Sequence, residues 1–290
     1  MQIPSRPRPC HDGCVDEMTR DERTPVSIAV PWPASDDPQV RVSVGACRLR
    51  VHSADDEAMV TGSYDDPTGT LPLTVTEEHG QVRISQQARL SDVRGFRASP
   101  PTLDLGLGRG RPLSLHLATG ASDVRLDLGG LGLRRVSLRM GAGNASITFD
   151  SPVTGVFERL ECEAGAASVT VTGLGNASPE QAAVVGGAAS YDLSFDGRLV
   201  RDVSAKVTTA GANTVVRVPI TTPTRVGIVS VLAGLTVRDG FQTWEDSYWT
   251  QAGVDGQRPL LSVDTSITLG GLELVATQEV EPPGIEPGSR

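Results

Sequence analysis

Between Leu113 and Val218 apolar and polar residues alternate with a period of two, and pairs of small residues interrupt the alternation at regular intervals. The pairs are Gly120-Ala121, Gly141-Ala142, Gly165-Ala166, Gly187-Ala188, Ala210-Gly211 and Ala233-Gly234, at successive steps of 21, 24, 22, 23 and 23 residues. Four, six and eight residues after the start of each pair stand Val124, Leu126 and Leu128, then Ala145, Ile147 and Phe149, then Val169, Val171 and Gly173, then Tyr191, Leu193 and Phe195, then Thr214, Val216 and Val218. The positions between them include Arg125, Ser146, Thr170 and Asp192. Ahead of the pairs the same parity holds: Leu115, Val136, Leu138, Leu160 and Cys162 alternate with His116, Ser137, Arg139, Glu161 and Glu163. Such alternation marks half-buried strands.

Each copy therefore reads as strand, small-residue bend, strand. One copy cannot bury its apolar face alone, whereas stacked copies turn each column into a continuous apolar ladder. The pattern predicts an all-β fold, a β-solenoid of strand-bend-strand repeats of about 23 residues with N- and C-terminal caps. The alternative is an antiparallel β-sandwich, which shares the alternation without needing a fixed period. In a solenoid, Leu126, Ile147, Val171, Leu193 and Val216 form one buried column, with Arg125, Ser146, Thr170 and Asp192 outside. Small residues suit the bend through φ freedom or lack of bulk.

The flanks set the domain limits. Residues 1–36 are rich in Pro, Arg, Asp and Glu and are expected to be a disordered or loosely docked arm. Residues 37–278 form one β-repeat domain: an N-terminal cap and diverged coil over 37–112, regular repeats over 113–237, and an aromatic insertion with the last coil over 238–278. Gly45-Ala46, between two alternating runs, marks the diverged coil. Residues 279–290, with three prolines, are expected to be a disordered tail.

Charge removes one class of function. The net charge is −9, with no basic stripe, which argues against nucleic acid as a partner. No stretch is apolar for long enough to span a bilayer, and the N-terminus lacks the apolar core of a signal peptide. The expected location is the cytoplasm, unless a misassigned start hides an export signal. Four cysteines in 290 residues do not make a disulfide framework.

Candidate chemistry is sparse. Cys10-His11-Asp12-Gly13-Cys14 offers metal-ligand types but no second pair at useful spacing, so no metal is expected. The glycines of Leu103–Gly110 precede Pro112 and an alternating run rather than a helix, so they do not read as a phosphate loop. Asp127 and Asp150 are available for paired-carboxylate chemistry, but their column neighbours Thr172, Ser194 and Gly173 complete no cluster, no HxxxH or G-x-S-x-G occurs, and neither enzyme activity nor a cofactor is expected. Two features remain. Asp123, Asn144, Ser168, Ser190 and Asn213 fall three residues after successive repeat starts, as a polar ladder that hydrogen-bonds along the stack or binds a sugar or cation. Phe241, Trp244, Tyr248 and Trp249 gather four of the eleven aromatics in nine residues. They either cap the open end of the stack, which buries Trp244 or Trp249 against the final coils, or form a partner-binding surface.

Leu103-Asp104-Leu105-Gly106, Leu126-Asp127-Leu128-Gly129-Gly130-Leu131, Met140-Gly141-Ala142-Gly143-Asn144 and Gly165-Ala166-Ala167-Ser168-Val169-Thr170-Val171 resemble the toast-rack and LiaF C-terminal type of bacterial β-repeat domain. Val40 to Tyr64 is similar to the start of that domain, and the block ending in Gly270-Gly271-Leu272-Glu273-Leu274 to its close, so the likeness covers about residues 39–277. Some relatives are labelled adhesins. LiaF-like members join the domain to membrane helices and restrain an envelope-stress two-component system; this chain has no such helix. The resemblance supplies no catalytic residues. It implies a noncatalytic interaction scaffold whose partner is another protein, with a membrane signalling protein as the specific candidate. A carbohydrate-binding or carbohydrate-active solenoid is the alternative.

Overall fold

The computed structural model describes residues 25–54, 57–86, 99–230 and 232–278. Among these, twenty strands join into one hydrogen-bonded sheet that folds over on itself. In chain order they begin with β1 (Val26–Val30), β2 (Gln39–Val44), β3 (Arg48–Ala54), β4 (Val60–Asp65), β5 (Leu73–Glu78), β6 (Gln81–Gln86) and β7 (Thr102–Gly108). Three long strands follow, β8 (Leu113–Asp127), β9 (Leu133–Thr148) and β10 (Arg159–Thr172). Then come β11 (Gln181–Gly186), β12 (Ser190–Ser194), β13 (Val203–Thr209), β14 (Ala212–Pro219), β15 (Thr224–Ser230) and β16 (Ala233–Val237). The last are β17 (Gln242–Trp244), β18 (Ser247–Trp249), β19 (Leu261–Ile267) and β20 (Gly270–Thr277).

The repeats stack as parallel rungs, which identifies the solenoid and sets aside the antiparallel sandwich. In the first sheet the order is β6, β2, the first half of β8, β9 and β10, then β11, β13, β19 and β15. In the second it is β7, β3, the second half of β8, β9 and β10, then β12, β14, β20 and β16. Antiparallel strands close the ends. At one end β5 lies on β6, β4 on β7 and β1 on β4. At the other, β18 lies on β15 and β17 on β18.

The predicted column is in register: Leu126 faces Ile147, Ile147 faces Val171, Val171 faces Leu193, and Leu193 faces Val216. All five are buried, whereas Arg125 and Thr170 are exposed and Ser146 and Asp192 half-exposed. Parallel in-register stacking repeats one side-chain environment on every rung, so a residue type that fits once fits throughout. Tyr191 is an aromatic exception. Its ring fills the space over Gly186 and its hydroxyl donates to the Ala164 carbonyl at 3.1 Å.

The bends are glycine because the stacked backbones approach closely. A Cβ built on Gly120 would stand 2.5 Å from the Gly45 carbonyl oxygen, on Gly141 2.9 Å from that of Gly120, on Gly165 2.7 Å from that of Gly141, and on Gly187 2.6 Å from that of Gly165. Lack of bulk is the requirement at these four bends; none of them has a positive φ.

Two expectations on organisation are corrected. The arm was expected to reach residue 36, yet β1 pairs with β4 along its whole length, and the Arg111 guanidinium lies 5.1 Å from the centroid of the Trp32 ring. Pro25 and Pro31 bracket a strand with two buried apolar positions, Ile28 and Val30, too few to show as a period. The coil last in sequence is also not last in space, since β19 and β20 insert between β13/β14 and β15/β16. Burial accounts for this. The inner positions of β19/β20 carry Leu261, Val263, Ile267, Leu272 and Leu274, all buried, and an inner rung covers such side chains on both sides. Residues 1–24, with Cys10, His11 and Cys14, and residues 279–290 lie outside the described residues. No helix of the described residues is long and apolar enough to cross a membrane.

Among the described residues two free thiols, Cys47 and Cys162, sit in the core. Burial pushes Cys162 up from 9.0 to about 12, aided by the neighbouring Glu163 charge, and pushes Cys47 up to about 11. Both folded values exceed the unfolded one, so their contribution to stability is complete below pH 9 and is lost as pH rises through 9 toward 11–12. The urea midpoint is expected to fall across that window, and Cys162→Ala to flatten the fall. An unchanged slope in the variant would remove the thiol as its source.

Candidate functional site

The five ladder residues are aligned on the outer face of the second sheet. Asp123 is opposite Asn144, Asn144 opposite Ser168, Ser168 opposite Ser190, and Ser190 opposite Asn213. The Asn144 amide donates to Asp123 Oδ1 at 3.0 Å and the Ser190 hydroxyl to Ser168 Oγ at 3.1 Å. Hydrogen bonding along the stack is thus realised at two of the four steps. The ladder ends at Asn213, whose neighbour on β20 is Gly271.

Beside its first half lies a groove of about 580 Å³. Its walls carry Arg48 and Arg50 from β3, Asp104 from β7, Asp123 and Arg125 from β8, and Asn144, Ser146, Ser168 and Thr170 from the two rungs beyond. Strand alternation points all of them outward. Asp104 Oδ1 lies 3.1 Å from His52 Nδ1 without hydrogen-bond geometry between them, and Arg50 lies 3.7 Å from Asp127. Two rungs on, Asp192 accepts two hydrogen bonds from Arg217, at 2.9 and 3.0 Å, and this pairing raises the Arg217 pKa. Sequence reading places Arg125 outside but does not join it with Arg48 and Arg50. Aligning Gly45 with Gly120 would have exposed them, because that alignment sets Arg50 against Arg125.

The structure gathers Phe241, Trp244, Tyr248 and Trp249 at the far end of the stack. β17 and β18 form a hairpin whose Tyr248 pairs with Val226 of β15, and Val226 is fully buried. Phe241 and Tyr248 pack on the core. Thr250 anchors the hairpin: its hydroxyl donates to the Thr222 carbonyl at 2.8 Å and accepts from the Thr224 amide at 2.9 Å. The two tryptophans pack on one another, ring centroids 5.5 Å apart. Trp249 is half-buried, but Trp244 is 48% exposed. The hairpin therefore caps the β15 edge with backbone and with Phe241 and Tyr248, while Trp244 remains at the surface.

The β16 half of the same end is open. Among the described residues no strand pairs with its outer edge. Leu235 occupies an inner position opposite Leu272; Leu272 is 3% exposed and Leu235 41%. Around the adjoining bend Val229, Leu232 and Leu269 are exposed as well. The other terminal edges are guarded. β1 lies between Pro25 and Pro31, β5 ends in Glu77 and Glu78, and β17 turns through Glu245 and Asp246. β16 reads Ala-Gly-Leu-Thr-Val, with neither charge nor proline.

Among the described residues no group of three His, Cys, Asp or Glu side chains is placed to hold a metal ion.

A family model for the N-terminal domain of toast_rack, DUF2154, matches residues 19–172. No curated protein matches the chain. Among solved structures it is similar to a "putative cell adhesion protein" of Clostridium sporogenes, at 12% identity and a TM-score of 0.48, over 88% of this chain and all of that one. It is also similar to a "putative adhesin" of Bacteroides fragilis, at 10% identity and a TM-score of 0.43, over 87% of this chain and 96% of that one. A "putative lipid binding protein" of Parabacteroides distasonis matches at 13% identity and a TM-score of 0.38, over the same shares. The family model ends with β10, yet the rungs continue in register through β12 and β14 to β20. Because the model spans more than half of the 290 residues, the chain belongs to the toast_rack family, and residues 19–172 are its N-terminal domain.

Proposed function

We propose that the protein is a noncatalytic interaction module that takes an extended segment of a partner protein as an added strand on β16. The observation that carries this is the unguarded edge. A row of free backbone donors and acceptors beside exposed Leu232 and Leu235 is the surface to which strand addition supplies both hydrogen bonds and apolar cover. The finer reading is that the partner is a membrane signalling protein of the envelope-stress kind; the LiaF-type resemblance supports it.

A photocrosslinking residue at Thr236, on the outer face of β16, tests both levels in cells that make the protein. The expected result is one defined partner protein, captured from position 236 and not from Thr76 on the charged β5 edge, and lost when Leu235→Lys guards the strand. A crosslink only between two copies of this chain would replace the reading with self-assembly. The identity of the captured protein decides the envelope-stress assignment.

A further inference from the structure

Arg50 and Arg125 stand directly opposite one another on neighbouring strands, and Arg48 shares their face two residues along β3. Like charges opposed across a ladder are destabilising; Asp104 opposite Arg50 and Asp123 opposite Arg48 offset part of this, whereas Arg125 has only Ser146 on its other side. Among the described residues Arg48 and Arg125 have no carboxylate within ion-pair distance, and Arg50 has only Asp127 at 3.7 Å. Other opposed cations are treated differently. Arg135 and Arg159, opposite one another in the first sheet, are bound by Glu158 and Glu161. Arg41 and Arg83 are hydrogen-bonded to Gln39 and Gln81 and do not line this groove.

We infer that the groove over β3, β8 and β9 binds an acidic glycan, a chain of sugars bearing carboxylates, with the anion at Arg50 and Arg125. A guanidinium fork matches a carboxylate bidentately. Asn144, Ser146 and Asp123 then face the ring hydroxyls with both donors and acceptors. The carboxylates of Asp104 and Asp123 in the same walls disfavour a phosphate-dense polymer, and among the described residues no aromatic lines the groove to stack a base. One anion among many hydroxyls is the chemistry of a uronic acid. The net charge of −9 repels polyanions in general, so any binding must come from this local cluster. The inference is independent of strand addition at β16, which lies at the end of the stack.

The test is calorimetric titration of the full chain with galacturonate and glucuronate oligomers, with a galactose oligomer as neutral control. At least one uronate oligomer is expected to bind and the neutral one not to. Arg125→Gln should weaken binding tenfold or more, Asn144→Ala severalfold, and Arg159→Gln in the first sheet not at all. Arg125→Gln should also melt at or above the parent temperature, because it relieves the opposed charges; a merely structural arginine would give a lower value. Failure of both uronates to bind, equal binding of the neutral oligomer, or an equal loss in Arg159→Gln would each overturn the assignment.

Discussion

Ile147→Asp is expected to abolish cooperative folding. Ile147 is fully buried, between Leu126 on one rung and Val171 on the next. A carboxylate there has no partner and either stays charged in an apolar column or takes up a proton, and both are costly. Losses of about 4–5 kcal/mol or more are reserved for such changes, against a total stability of about 5–15 kcal/mol for a typical domain. Ile147→Val should lose only about 0.5–1.5 kcal/mol, since it removes one methyl from the same column. Denaturant melts of the two variants check this. A cooperative Asp variant with the parent midpoint would mean that the column is not buried.

The second large effect is at the bends. Gly141→Ala should cost about 1–3 kcal/mol, because its Cβ would meet the Gly120 carbonyl oxygen at 2.9 Å and a stacked backbone cannot yield without moving the next rung. Gly141→Val should cost more. Gly234, which the strand register places in the ladder column of the end rung, is the control for bulk: a Cβ there comes no closer than 4.0 Å to the Gly270 carbonyl oxygen. Gly234→Ala should be neutral or stabilise by about 0.4–1 kcal/mol through the unfolded chain. Equal losses at both positions would show that close backbone approach does not set the cost at the bends.

The parts of this fold legible in the sequence are those that repeat. The Leu126–Val216 column and the Asp123–Asn213 ladder recur at the same offset, and parallel stacking converts an offset into a contact. What occurs once was hidden. Nothing in the order of the chain says that β19/β20 passes inside β15/β16; that depends on comparing how much apolar surface each rung carries. β1 was obscured by its prolines. The clustering of aromatics in the insertion does not reveal that its hairpin covers the β15 edge largely by backbone pairing and leaves Trp244 outside. The openness of β16 is a property of what does not pair with it, and no local pattern encodes that.

Amide hydrogen exchange on the dilute protein, resolved by residue, bears most directly on a rung stack with one unguarded edge. The Leu232 and Arg238 amides donate to the Thr268 and Leu274 carbonyls of the neighbouring rung, so even-numbered amides of β16 face β20 and odd-numbered ones face outward. The amides of Leu235 and Val237 should exchange rapidly, while those of Gly234 and Thr236, and of Val216 inside the stack, exchange slowly. Slow exchange at Leu235 and Val237 in the isolated monomer would mean that the edge is already covered, and would contradict strand addition at β16.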